Sequence, residues 1–307
     1  MIEVTKEFIE QVATALLAQR DNYEGGSNTA FARKYGINPA VYSRIKSGER
    51  EGLLQPAKWI SLGRELNVSL HERRWVTVET EVFKQIREEV LFCKAYAKGR
   101  IFVDNCGIGK TYTAKYLAKT EKNIFYLDCR RCSGVTSFIR ALAKAVGVSL
   151  RGSLQDIKDE TMYFLSAIPD PVVILDEAGA LKKGAVELVL EYWNATEGQC
   201  GWYVIGANSL RSKISRGISM DKESFAELFS RLSEKFSTVV PKERKECVDF
   251  YKRLITDVIS ANMTEKNNLS ELVNRCLIEQ DGIVTGLRRA EGLLILYSQE
   301  NEASPNC

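Results

Sequence analysis

Histidine is almost missing from this chain of 307 residues, which has one, His71. A Ser-His-Asp or Cys-His catalytic arrangement is built around an imidazole, so this scarcity argues against nucleophilic catalysis of that kind. His71 reads instead as a surface or packing residue near a domain end. A second cysteine pair is also lacking: of eight scattered cysteines, with Cys307 the last residue, Cys129 and Cys132 form the one CxxC. A closed zinc site takes four Cys or His ligands at recognisable spacing, so the cysteines read as reduced thiols. No apolar run approaches the ~18–20 residues of a membrane span. The start, "MIEVTKEFIEQVATALL", has neither the basic opening nor the apolar block of a signal peptide. The expectation is a cytoplasmic protein with no membrane partner. Charge of one sign is lacking too: 43 Lys and Arg against 40 Asp and Glu leave a net +3, too little by itself to establish a nucleic-acid partner. Repeats and low-complexity segments are absent.

What is present is an ordinary globular composition, 45% hydrophobic, in a chain long enough for two domains or one with an appendage. Up to about residue 75 there are short helical patterns, broken by "NYEGGSN" and "SGEREG". From about 80, β-rich runs alternate with helical stretches. "RIFVD", "NIFYLD", "PVVILDE" and "GWYVIGAN" are separated by "GKTYTAKYLAKT", "GVTSFIRALAKAVGV" and "AVELVLEYWNAT". Such alternation predicts a parallel sheet with crossover helices. From about Lys242 the strands stop and helical periodicity alone remains. The predicted organisation is α/β in class: a small all-α domain over 1–75, an α/β core over 76–241 and a helical subdomain over 242–307.

The chemistry concentrates in "VDNCGIGKTYTAKYLA". A phosphate loop reads G-x-x-x-x-G-K-[ST]. Gly107, Ile108, Gly109, Lys110 and Thr111 fit its end, between a strand and a helix, while Asp104 stands where the first glycine is expected. Backbone N–H groups from Asn105 to Tyr112, Cys106 included, would cradle phosphate at the helix N-terminus. Lys110 would reach the outer phosphates of ATP, and Thr111 would place its hydroxyl on Mg2+. Further on, "PVVILDEA" is a buried-type strand releasing two carboxylates at its C-terminal end, where α/β sheets hold ligands. Asp176 would complete the metal shell and Glu177 would polarise the attacking water. "GWYVIGANS" ends in Asn208, able to orient that water. Asp tolerates unusual turn dihedrals and can point away from the loop, so Asp104 is compatible with a working site.

These parts, in this order, resemble the AAA+ ATPases. The resemblance implies a P-loop AAA+ core with a short helical lid, and an oligomer, because an arginine finger from one subunit serves its neighbour's nucleotide. Asn208 falls at the first sensor. In "FAELFSRLSEKF", Arg231 after Ser230 matches the finger, with Arg211 and Arg216 as rivals and a surface salt bridge as its other role. Arg288 in "GIVTGLRRAEGL" matches the second sensor, with Arg289 as fallback.

"NTAFARKYGINPAVYSRIKSGERE" has the form helix, turn, helix. Gly36 breaks the first helix, Ile37 packs into the turn, and Asn38 caps the second with Pro39 at its start. Val41 and Ile45 are expected to face inward, leaving Tyr42, Ser43, Arg44 and Lys46 for DNA. The pattern resembles the helix-turn-helix of lambda-repressor-type proteins; the other reading is a helical bundle with an incidental basic face. Two more basic pairs, Arg130–Arg131 and Lys182–Lys183, follow the second strand and the acidic pair. Loops at these positions face the central channel in AAA+ assemblies, where basic side chains would track a DNA backbone; ordinary solvated charge is the alternative.

Taken together, "CGIGKT", "VVILDEA", "FAELFSRL" and "GLRRAEGL" resemble the family of the phage Mu transposition protein B, related to the insertion-sequence ATP-binding helper proteins. What that implies is an ATPase that binds double-stranded DNA without sequence preference, self-associates on it as a helical filament or ring, and delivers it to a transposase. Two other readings stand beside it: a helicase loader or replication initiator, and a helix-turn-helix transcriptional regulator with an ATP-sensing core.

Overall fold

The computed structural model describes residues 4–21, 27–66, 68, 75–263, 266, 268–277, 279–280, 283–284 and 286–303. His71 and Cys307 lie outside them, so the expectations about those two have no structural counterpart. Four helices come first: α1 (Lys6–Asp21), α2 (Asn28–Lys34), α3 (Pro39–Lys46) and α4 (Pro56–Glu65). They close around Phe8, Leu16, Phe31, Ile45 and Trp59. The turn between α2 and α3 follows from local chemistry. Gly36 takes φ +59°, a left-handed conformation open to glycine at little cost. Ile37 is buried below it, and the Asn38 side chain accepts the Ala40 N–H at 2.9 Å. Pro39 then occupies a first-turn position where its missing N–H costs nothing.

One expectation fails here. Tyr42 is buried, 1% exposed, with its ring 5.5 Å from that of Phe31. The inward stripe of α3 is therefore Tyr42 and Ile45, three residues apart, and Val41 is only partly covered. In a helix as short as α3, spacings of three and four describe faces that overlap, and the aromatic ring fills the core better than a valine. Tyr42 is removed from the set of side chains available to DNA.

The α/β part runs α5 (Glu81–Tyr96), β1 (Gly99–Val103), α6 (Lys110–Thr120), β2 (Ile124–Asp128), α7 (Val135–Val146), α8 (Leu154–Ala167), β3 (Val172–Asp176), α9 (Lys183–Ala195), β4 (Gly201–Gly206), α10 (Asn208–Ser219), α11 (Glu223–Arg231) and β5 (Phe236–Ser237). Among the described residues the sheet has the order β2-β3-β4-β1-β5, every pair parallel. Strand period two divides its apolar residues between two cores. Val173, Leu175, Trp202 and Val204 pack with α7 and α9; Val172, Ile174, Tyr203 and Ile205 pack with α5 and α6. Because both faces are covered, β3 and β4 are buried along their whole length, which is why they read as unbroken apolar runs. Phe164 of α8 packs against both the α/β core and the N-terminal cluster, joining the two.

The C-terminal part contains α12 (Arg244–Asn262), α13 (Leu269–Cys276), β6 (Glu279–Gln280), β7 (Ile283–Val284) and α14 (Leu287–Ala303). The expectation of helices alone beyond Lys242 is corrected by β6 and β7, an antiparallel pair too short to leave a period-two signal. Helix α12 divides its apolar face. Phe250, Tyr251 and Leu254 join the core beneath α6, and Ile255 and Ile259 join α13 and α14. No helix among the described residues is long and apolar enough to cross a membrane.

Candidate nucleotide site

Strand order decides where the functional groups meet. Strand β4 lies between β1 and β3, so the loop after β1, the acids after β3 and the start of α10 open on one edge of the sheet. There Gly107 and Gly109 take φ +78° and +99°, and α6 begins at Lys110. Successive N–H groups in such left-handed turns form a concavity suited to anions. The Ile108 side chain is buried in the core, which leaves its backbone to face the concavity. Asn105 and Cys106 are exposed at the loop's rim.

Lys110 is buried, and its ammonium donates to the carbonyl oxygens of Asp104, at 2.7 Å, and Asn105. Loss of hydration pulls its pKa below the usual lysine value, against the opposing pull of Cys106, Asp104, Asp176 and Glu177. Thr111 donates its hydroxyl to Asp176 Oδ2 at 2.7 Å, so the two residues expected on Mg2+ are already in contact. Asp176 is 2% exposed and its carboxylate is fully engaged. Tyr126 donates to Oδ2 at 3.0 Å and the Glu177 N–H donates to Oδ1 at 2.9 Å. Tyr126 was not singled out by the sequence. Burial and the adjacent Asp176 carboxylate raise its phenol well above the ordinary value, so it stays a donor.

Glu177 adopts φ +53°, uncommon for a side-chain-bearing residue and a strain of order 1–3 kcal/mol. Its carboxylate pairs with Arg130 at 3.2 Å, side chains 34% and 71% exposed. At that exposure the pair is worth under about 1 kcal/mol, so another anion can displace it.

Beside the loop lies a cleft of about 520 Å³, lined by Lys110, Thr111, Tyr112, Glu177 and Arg288 together with the apolar Trp75, Val78, Phe83, Val258 and Leu287. These apolar residues escaped the sequence reading because they come from segments far apart along the chain. The strap before α5 is tied on both sides. Asn262 of α12 exchanges hydrogen bonds with the Val76 backbone, and Thr77 bonds the Tyr112 hydroxyl. From the other side, the Leu287 N–H donates to Gly107 O at 2.7 Å. Gly286 permits this approach: a Cβ on it would lie 2.5 Å from the same oxygen.

The remaining candidates lie further out. Asn208 is exposed as the first residue of α10 and is not part of the cleft lining. Arg231, at the end of α11, pairs with Glu227 one turn back at 2.9 Å. Its rival Arg211 is engaged within the chain, 5.2 Å from the Phe236 ring centre and donating to Val103 O, while Arg216 is exposed. Arg289 donates to the Arg275 carbonyl, away from the cleft. Arg131 pairs with Asp128 at 3.3 Å, and Lys183 with Glu187 at 3.3 Å; Lys182 is exposed. On α3, Arg44 pairs with Glu49 at 2.7 Å, Ser43 bonds the Pro39 carbonyl, and Lys46 is exposed.

Comparison with known proteins agrees with this geometry. Residues 103–214 match the family model of an AAA domain. No curated protein matches the chain. Solved structures do, among them that of the Aeropyrum pernix Orc1 protein in complex with DNA, at 14% identity and a TM-score of 0.53. The likeness covers 77% of this chain and 64% of the Orc1 chain, so this chain spans less than two-thirds of its neighbour's length. At that identity the likeness speaks for fold alone. Residues 103–214 are thus similar to an AAA domain, and the chain has the α/β P-loop fold of AAA+ proteins.

Proposed function

We propose that the protein is an ATPase that binds double-stranded DNA in an ATP-dependent manner, self-associates on it as a filament or ring, and hands it to a transposase. The nucleotide half rests on the glycine concavity, the buried Lys110 and the Thr111–Asp176 contact. Thr111 and Asp176 offer hard oxygen donors suited to Mg2+, which would offset phosphate charge when bound. Lys110 orients the outer phosphates, Glu177 polarises water, and Asn208 orients it. Arg288 reaches the phosphates from the lid. Arg231 is presented to a neighbouring subunit, its Glu227 partner weak enough to release it.

One observation carries the link to DNA: Arg130, expected to meet a DNA backbone, pairs with Glu177. A DNA phosphate drawing Arg130 away would free Glu177 to act on water, so DNA would stimulate hydrolysis. Arg131, Lys182 and Lys183 extend the same basic edge, and Ser43, Arg44 and Lys46 offer a second contact on the N-terminal module. That the Orc1 structure of similar fold is a complex with DNA is compatible with this reading, and equally with a replication initiator or helicase loader.

The test is binding to unrelated duplex DNAs of increasing length, with ATP, with ADP and without nucleotide. Affinity that requires ATP, rises with length and ignores sequence supports a DNA-coating ATPase. Nucleotide-independent binding at one short site would assign the function to the helix-turn-helix and sink the transposition reading. Delivery is then read as strand transfer by the partner transposase with and without the protein.

A further inference from the structure

Asp104 occupies the position where phosphate loops of this pattern have glycine, and its carboxylate has a task that glycine cannot perform. It is 5% exposed and turned away from the concavity. Oδ1 accepts the N–H of Asn105 at 2.7 Å. Oδ2 accepts the Thr238 hydroxyl at 2.8 Å and the backbone N–H groups of Val239 and Val240 at 2.7 and 3.0 Å. Those three donors lie on the connection from β5 to α12, the root of the lid. Bonds from N–H groups to a buried carboxylate are charge-assisted and hold geometry tightly.

The same residue's carbonyl oxygen receives the Lys110 ammonium. The Tyr251 hydroxyl of α12 lies near Asn105, next along the loop. At the loop's middle, Gly107 O receives the Leu287 N–H at the start of α14. The lid therefore grips the phosphate loop at two places: through Asp104 just before α12, and through Gly107 beside Arg288. Helix α12 joins the two, since it packs on the core with Phe250 and Leu254 and on α13 and α14 with Ile255 and Ile259. A shift at the Asp104 end would therefore be passed along α12 toward α14, which bears Arg288.

Building on the nucleotide reading above, we propose that Asp104 is a positioning residue: its carboxylate sets the lid against the phosphate loop, so that Arg288 stands where an ATP γ-phosphate ends and ATP is told from ADP. The substitution at the motif's first glycine is then a gain of coupling between loop and lid.

The experiment compares the affinities of fluorescent ATP and ADP analogues for the full chain and for Asp104→Gly, Asp104→Asn, Arg288→Ala and the combined Asp104→Gly/Arg288→Ala protein. Asp104→Gly should weaken ATP about tenfold more than ADP, as Arg288→Ala does, and the combined variant should lose no more than either alone. Asp104→Asn keeps one oxygen for the lid-root N–H groups and should lose ATP preference by about threefold, within the same non-additive pattern. It carries the comparison if Asp104→Gly does not fold. Equal weakening of ATP and ADP, or losses that multiply in the combined variant, would overturn the proposal and leave Asp104 a local brace. A wild-type chain that binds neither analogue better than Lys110→Ala does would instead bring down the nucleotide reading itself, and this proposal with it.

Discussion

The phosphate loop and the N-terminal helix pair are both motifs of a few residues, yet they differ in what a motif can promise. In the loop, each named atom has a fixed chemical task. Lys110 and Thr111 must stand one residue apart at the start of a helix, and the structure joins Thr111 directly to Asp176, 65 positions away. In the helix pair, the turn chemistry at Gly36 and Asn38 is as specific, and it appears as expected. The recognition face is not specific in that sense. It depends on how a two-turn helix rolls against its core, and that roll buries Tyr42. Motifs defined by chemistry survive translation into structure better than faces defined by phase.

The largest effect expected on this comparison comes from Lys110→Ala. If this buried ammonium serves the outer phosphates as proposed, its removal should weaken ATP binding by at least a thousandfold, about 4 kcal/mol, and abolish ATP-dependent DNA coating. Titration calorimetry with ATP, followed by a DNA mobility shift, reads both. Retained coating would uncouple the two regions and show that DNA binding resides in the N-terminal module.

Tyr42→Ala tests the other side. If Tyr42 is core, its truncation should destabilise the N-terminal module by roughly 3–4 kcal/mol. Nucleotide binding by the AAA domain should stay within about twofold, a change of under ~0.5 kcal/mol. Limited proteolysis would then cut first before residue 75. An unchanged proteolysis pattern together with weakened DNA binding would return Tyr42 to the DNA face.

How much was legible follows the same division. Strands β1 to β4 announced themselves because a sheet covered on both faces demands unbroken apolar runs. Strands β5, β6 and β7, at two residues each, are products of tertiary pairing and carry no pattern of their own. Lys110, Thr111, Asp176 and Glu177 stood out because a phosphate-loop pattern sets their spacing relative to strand ends, and the structure brings them to one edge of the sheet. Tyr126 was not, since nothing in "NIFYLD" marks a hydroxyl that will reach Asp176. Nor were the strap from Trp75 to Thr80 and the Asp104 grip on Val239 and Val240, which are contacts between segments remote in sequence. The Arg130–Glu177 pair falls between the cases: each residue was singled out, for different reasons, and only the fold brings them together.

The smallest effect lies where the two regions meet. Lys34, at the end of α2, is partly buried, with Glu65 of α4 and Lys144 of α7 as the charges bearing on it. Loss of hydration lowers its pKa from 10.5 to about 8; Lys144 pushes the same way and Glu65 opposes. Between pH 8 and 10.5 the unfolded chain thus holds a proton that the folded one has released, and stability gains from this group as pH rises through that window. Below pH 8 both states are protonated and the folded one bears the cost of a crowded ammonium. Since part of the side chain remains in water, the gain should amount to about 1 kcal/mol. Lys34→Met removes the titration. Its melting midpoint should exceed that of the wild type at pH 7, and the difference should shrink toward pH 10. A difference that stays constant with pH would mean that Lys34 is solvated as an ordinary surface lysine, and that the N-terminal module does not press it against the AAA core.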